Sequence, residues 1–458
     1  MLESLRTRIS LKTRVLIVIF VGAILIAIDA ATVSPILEGI QQFYGVNESV
    51  ITWILNIEVL TLMLATPIMA KLSDRYGRRN IYVLNAVLFL IGLLIVVFST
   101  SYSMLLVGRA IEGIGAVLSV LAITLIGDYF TERRGIVLGV YGVIIAVVYA
   151  LGPLIAGFLV TYGWKWIFVI NIPVAVTTVL LGFLLLPTGK VAERFGRFDW
   201  KGMIVLGIGI GAIAIFIFNL SSMNPLSSTQ WLTLAISIIA LIVFGWMERK
   251  VVEPILPVKL LSKRNTLIAS VVIFVGYLAE AFTYYLSTYA STAFTLSYSM
   301  AAYIILPFTV SSLLTTLVVG RLLDLIGPKP IMVIGGALMT VGVLILSYST
   351  NIYIFVFGLL VVGVGNVSIA GNALYYIFLD ETGKSNRATG QALLNILLNA
   401  GSLLGAAIIG TVITDLSAYG AVSFRTVFLY TAVVYLALTI LSLGLINNKA
   451  KKEAAVAG

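Results

Sequence analysis

The sequence predicts an all-α polytopic membrane protein with fourteen spans, and three observations predict it. Of 458 residues, 60% are hydrophobic and 10% charged, at a mean hydropathy of +1.11, whereas a soluble domain carries about a quarter charged residues. Apolar runs of about 20 residues recur along the chain, each long enough to cross a hydrocarbon layer roughly 30 Å thick as a helix. The Lys and Arg residues collect in alternate gaps between the runs, as they do where cations set membrane orientation.

Taken in order, the runs place spans at 15–39, 49–70, 80–99, 103–128, 136–160, 164–187, 202–220, 230–247, 266–290, 298–320, 330–348, 351–378, 388–414 and 424–446. The first is too long for the apolar core of a signal peptide and leads into a second, so no cleaved leader is expected. With the amino end inside, 26 of the 29 Lys and Arg fall in inside segments; the others are Arg109, Lys165 and Arg425. A missed or invented crossing would switch every later loop and break this bias, so both termini are expected in the cytoplasm. The net charge of +10 therefore reflects membrane orientation, and no nucleic-acid partner is expected. Short loops suit an inner, or plasma, membrane, and a monomer is expected.

The sequence holds no Cys and no His. Disulfides, thiolate metal sites and imidazole proton carriers are excluded, so any protons moved near neutral pH travel on carboxylates. No cofactor is expected, with protons as the coupling ion.

Residues 70–79, AKLSDRYGRR, and 320–329, GRLLDLIGPK, align on a shift of 250 positions, pairing Asp74 with Asp324 and Gly77 with Gly327. Both lie between the second and third spans of a six-span block. The repeat divides the chain into a six-helix bundle (1–187), two additional helices with linkers (188–265) and a second bundle (266–458), as in transporters built of two halves around a central site. In each loop the glycine permits a tight reversal, and the acid can pair with a neighbouring helix end. Asp74, Arg75, Gly77, Arg78, Asp324 and Gly327 are thus candidates for a switch between two states; static capping of the loop is the alternative.

The first loop resembles the G-x-L-x-D-R-x-G-R-R signature of the major facilitator superfamily, with Ala70 in place of the first glycine. IDAATVSPIL (28–37), GRAIEGIG (108–115), ALGPLIAG (150–157), WKWIFVINIP (164–173), FDWKG (198–202) and ERKVVEPILPVKLL (248–261) are similar to the fourteen-span drug:proton antiporter branch of that family. The resemblance implies the major facilitator fold, with two six-helix bundles plus two additional helices, and links Asp29 and Arg109 to proton coupling. It also associates Gly152-Pro153 with antiport, although Ala156 and Val148 replace glycines there, and Glu112 stands where the family more often has glutamine.

Ionisable side chains at membrane depth cost at least about 2.5–3.5 kcal/mol each. Asp29, Glu58, Arg109, Glu112 and Glu280 all lie roughly 10–15 Å from the outer ends of their predicted spans, close to the midplane. Four acids around one base fit a polar cavity between the halves, where a carboxylate loads a proton on one side and releases it on the other. The alternative for each acid is a buried ion pair that only fastens helices. Tyr277, Phe274, Tyr284 and Tyr285 in span nine, with Asn395 and Asn399 in span thirteen, are candidates to line an apolar cargo site. Proline removes a backbone hydrogen bond, so the Gly152-Pro153 step is expected to interrupt span five. GIGIGA (207–212) lies inside a span without a preceding strand and reads as close helix packing. The sequon at Asn47 is meaningless in a prokaryote.

Together these readings predict no enzyme but a secondary active transporter: a proton-coupled antiporter exporting amphipathic or hydrophobic, including cationic, compounds by alternating access. A proton-linked importer of a small metabolite and a transport-inactive membrane sensor are the alternatives.

Overall fold

A computed structural model describes residues 10–33, 36–46, 51, 53–188, 199–220, 227–251, 254–296, 300, 303–383, 386–415 and 421–446. Among them, thirteen helices or helix pairs are long and apolar enough to cross a membrane, and the apolar helix Trp200–Leu220 takes the seventh predicted position. The described elements are all helical. The terminal residues on which the topology rests, 1–9 and 447–458, and the sequon lie outside the described residues, as does much of the linker before Asp199.

Several predicted spans have different ends or internal breaks. Span one is helical over Leu11–Val33 and again over Leu37–Tyr44, with residues 34 and 35 outside the described residues. Span four is Tyr102–Gly115 and then Leu118–Tyr129, so its winding breaks one turn after Glu112. Span nine is α-helical over Arg264–Glu280, continues as a 3-10 segment over Ala281–Tyr285 and resumes at Leu286–Phe294. Span twelve divides at Gly371 into Ile352–Ala370 and Asn372–Glu381. The interruption expected in span five is absent: Arg134–Leu159 is one helix through Pro153. Its Gly152 lies against the backbone of Ala31 in span one, where a Cβ would intrude.

The two repeated loops are shorter than the charge pattern suggested. Span two continues as Trp53–Tyr76 and span ten as Leu306–Ile326, so Asp74 and Asp324 sit on helix ends. Each turn is one glycine, Gly77 at φ 92° and Gly327 at φ 80°, a backbone region that L side chains avoid. The next helices begin immediately, at Arg78 and Pro328.

Span three packs on span four, span eleven (Pro328–Ser347) on span twelve, and span five on span ten. Span seven packs on span eight (Ser228–Glu248) and also touches spans two and thirteen, so the added pair lies along a seam between the first six and last six spans. Most of the interior is apolar, with Ile19, Phe89, Phe168, Phe355 and Phe428 at most 2% exposed.

Candidate functional site

The site is built around Arg109. Ser101 caps the start of span four by accepting from the Met104 backbone N–H at 3.2 Å, and two turns further on Arg109 and Glu112 share one helix face. Both are 0% exposed, and Asp29 is 1% exposed. The Arg109 guanidinium donates to Asp29 Oδ2 at 2.9 Å, to Glu112 Oε2 and to Glu58 Oε2. Its Nε donates to the Ile54 carbonyl at 3.3 Å, and the Phe168 ring centre lies 5.7 Å from it. Spans one, two, four and six thus meet at one cation. A planar fork with five donors suits this task, which a single ammonium could not perform.

One guanidinium faces three carboxyl groups. Asp29 Oδ1 and Glu112 Oε1 are buried without a hydrogen-bond partner, while the Glu58 side chain is 14% exposed. Glu58 is accordingly the opening of an otherwise sealed cluster. Tyr149 of span five, 48% exposed, lies within electrostatic range of Glu58, Asp29 and Tyr284, and Tyr284 of span nine is similarly close to Glu280.

Glu280, expected with the other acids, does not join them. Asn366 of span twelve donates to its Oε1 at 2.8 Å. Spacing along one helix gives depth but not azimuth, so span nine's position in the other half could not be read from it.

The predicted cargo residues gather where spans nine and thirteen pack. Tyr284 Oη is 3.0 Å from Ser402 Oγ, and the Tyr285 hydroxyl donates to the Ala406 carbonyl at 3.1 Å. Asn399 Nδ2 donates to Asn395 Oδ1 at 2.9 Å, and both side chains are half-buried, as is Phe274. Tyr277 lines a cavity of about 170 Å³ with Thr316, Asn366, Asn372 and Gly142 of span five.

At the charge-rich end the two halves are fastened by a quasi-symmetric set of contacts. Asp74 accepts from the Thr389 backbone N–H at 3.4 Å, at the start of span thirteen. Its counterpart Asp324 accepts from Gly135 and Ile136 at 2.8 and 3.0 Å, at the start of span five. Carboxylates at helix amino termini satisfy orphan N–H groups and the helix dipole. Arg78 bridges Asp74 and Asp128, the latter at 3.1 Å. Asp128 also pairs with Arg387 of the other half at 2.8 Å, and Asp380 with Arg134 at 3.8 Å. The Arg75 guanidinium carbon lies 5.5 Å from the Tyr76 ring centre.

Asp128, Arg134, Asp380, Arg387 and Asn366 escaped the sequence reading. The first four repeat at slightly longer shifts, since Asp128 and Asp380 are 252 apart and Arg134 and Arg387 are 253 apart. Asn366 carries no charge and gives no such signal.

Among proteins of known sequence, the chain is 32% identical over 316 residues to the efflux pump dotC of Dothistroma septosporum, covering 66% of this chain and 54% of that one. It is 28% identical over 326 residues to the multidrug transporter protein MdtP of Bacillus subtilis, covering 70% and 60%. The chain thus spans little more than half the length of these relatives. Among solved structures, the human organic anion transporter MFSD10 superposes with a TM-score of 0.71 at 16% identity, covering 94% of this chain and 99% of that one; this shows a shared fold. The family model described as Major Facilitator Superfamily matches residues 19–310 and 267–458, and the chain belongs to that family of transporters.

Proposed function

We propose that the protein is a proton-coupled antiporter that exports amphipathic compounds from the cytoplasm across the inner membrane. The observation that carries this reading is the convergence of Asp29, Glu58 and Glu112 on Arg109. Three carboxyl groups around one guanidinium leave negative charge in excess, and in a desolvated site a proton is the simplest means of neutralising it. Glu58, the most exposed of the three acids, gives that proton a route out of the cluster. Release of the proton redistributes the Arg109 contacts among helices of the first half, which couples charge to helix position.

The contacts at the charge-rich end supply the second requirement, a bistable element. With Asp74, Asp128, Asp324 and Asp380 engaged, the cytoplasmic side is held shut; when these bonds release, the halves rock and a cleft opens inward. Tyr149, Tyr277, Tyr284, Asn395 and Asn399 line the cargo path in this reading. Relatives named as an efflux pump and a multidrug transporter support outward transport of varied compounds.

Asp29→Asn is expected to abolish transport driven by a pH gradient in reconstituted vesicles while retaining cargo binding. Undiminished gradient-driven flux in that variant would refute proton coupling at this cluster. Proton flow recorded beside cargo flux distinguishes exchange from co-transport.

A further inference from the structure

Three buried polar atoms without hydrogen-bond partners gather beside the 170 Å³ cavity that Tyr277, Thr316, Asn366, Asn372 and Gly142 line. Asn366 commits its amide nitrogen to Glu280 Oε1, and Glu280 Oε2, Asn366 Oδ1 and Asn372 Nδ2 have no hydrogen-bond partner. Two of these are acceptors and one belongs to a carboxyl group, so the deficit is chiefly of donors and of positive charge. The other three deep acids share Arg109; among the described residues no Lys or Arg forms an ion pair with Glu280. An acid at this depth with one oxygen hydrogen-bonded and no counter-charge is costly, so its free oxygen suits a cationic partner from outside the chain.

The surroundings suit a cation. Tyr277 and Tyr284 stand three residues before and four after Glu280, on neighbouring turns of span nine, and aromatic faces attract ammonium groups. The span passes from α to 3-10 winding at Glu280, a change often found at functional positions. Gly142 comes from the first half, so an occupant of the cavity touches the seam between halves.

We propose that Glu280, Asn366 and Asn372 form a receptor for the ammonium group of an arylalkylamine cargo, separate from the proton site at Arg109. Glu280 supplies the counter-charge, Asn366 Oδ1 accepts an N–H, and Tyr277 and Tyr284 hold the hydrophobic body. Calling the ligand cargo rests on the exporter reading; its binding does not.

Binding is therefore measured at equilibrium, without a gradient, on the purified full-length protein in detergent near neutral pH. The probes are 2-phenylethylammonium and the uncharged 2-phenylethanol. Wild type is expected to bind the amine about tenfold tighter than the alcohol, the size of one charge-assisted hydrogen bond. Glu280→Gln and Asn366→Ala are each expected to erase most of that preference and leave alcohol affinity unchanged, which also reports an intact fold. Equal affinities in wild type, or equal losses for both probes in the variants, would overturn the receptor. So would an unaltered amine preference in Glu280→Gln. Failure of gradient-driven transport with this preference intact would sink the exchanger and leave the receptor standing.

Discussion

Arg109 is the residue on which the first half converges, and its 0% exposure makes it hard to replace. Removing it strands three carboxyl groups, and breaking a buried ion pair from one side costs about 3–5 kcal/mol. Arg109→Leu is thus expected to melt well below wild type in detergent, with Arg109→Lys between the two, because an ammonium restores the charge but not the fork that reaches three helices. Wild-type melting of the Lys variant would show that charge alone is what the cluster needs, and identical melting of the Leu and Lys variants would show that charge without the fork restores nothing. The participants were legible in the sequence because charge inside an apolar span is expensive and so conspicuous. Their grouping was not: Glu280 looked equivalent to Glu58 and Glu112 by depth, and only the packing of span nine in the other half separates it.

At the scale of helices, spans five and ten approach so closely that a Cβ on Gly320 would lie 2.6 Å from the Gly135 carbonyl and 3.0 Å from the Gly139 Cα. This contact brings the start of span five to Asp324. Gly320→Val is expected to push the pair apart, weakening the Asp324 bonds to Gly135 and Ile136 and exposing Val137, which is 8% exposed. Because the chain contains no native Cys, Val137→Cys gives a clean readout: it should react with a water-soluble maleimide several-fold faster when Gly320→Val is also present. Unchanged reactivity would mean that the helix contact does not hold this end shut. Positions of most spans were legible from apolar length, whereas breaks after Glu112, at Glu280 and at Gly371 leave no comparable trace in composition. The expected break at Pro153 shows the reverse, since a transmembrane helix packed against neighbours can continue through a proline.

For the whole molecule, the two halves present the same device to one another: an acid ending the second helix of each half holds the start of a helix in the other. Either acid alone leaves its counterpart engaged, so Asp74→Asn or Asp324→Asn is expected to shift the open population partially, and the pair together much further. Spin labels at Asn80→Cys and Leu325→Cys, one per half, should record longer distances in the double variant. A distribution matching wild type would remove the latch from the mechanism. The shift of 250 positions revealed Asp74 and Asp324, whereas Asp128, Arg134, Asp380 and Arg387 repeat at 252 and 253 positions and are found only when the alignment is allowed to slip by two or three residues.

Hydropathy and charge in the sequence alone pointed to a multi-pass chain with a repeated charged loop and to the ionisable groups that lie inside apolar spans, because the solvation cost of each choice is local to its own segment. Tertiary structure alone decided which of those groups meet: Arg109 with three acids, Glu280 with Asn366, and each half's latch with the other's helix start. Those pairings depend on how helices distant in sequence rotate and pack, a property that no single segment contains.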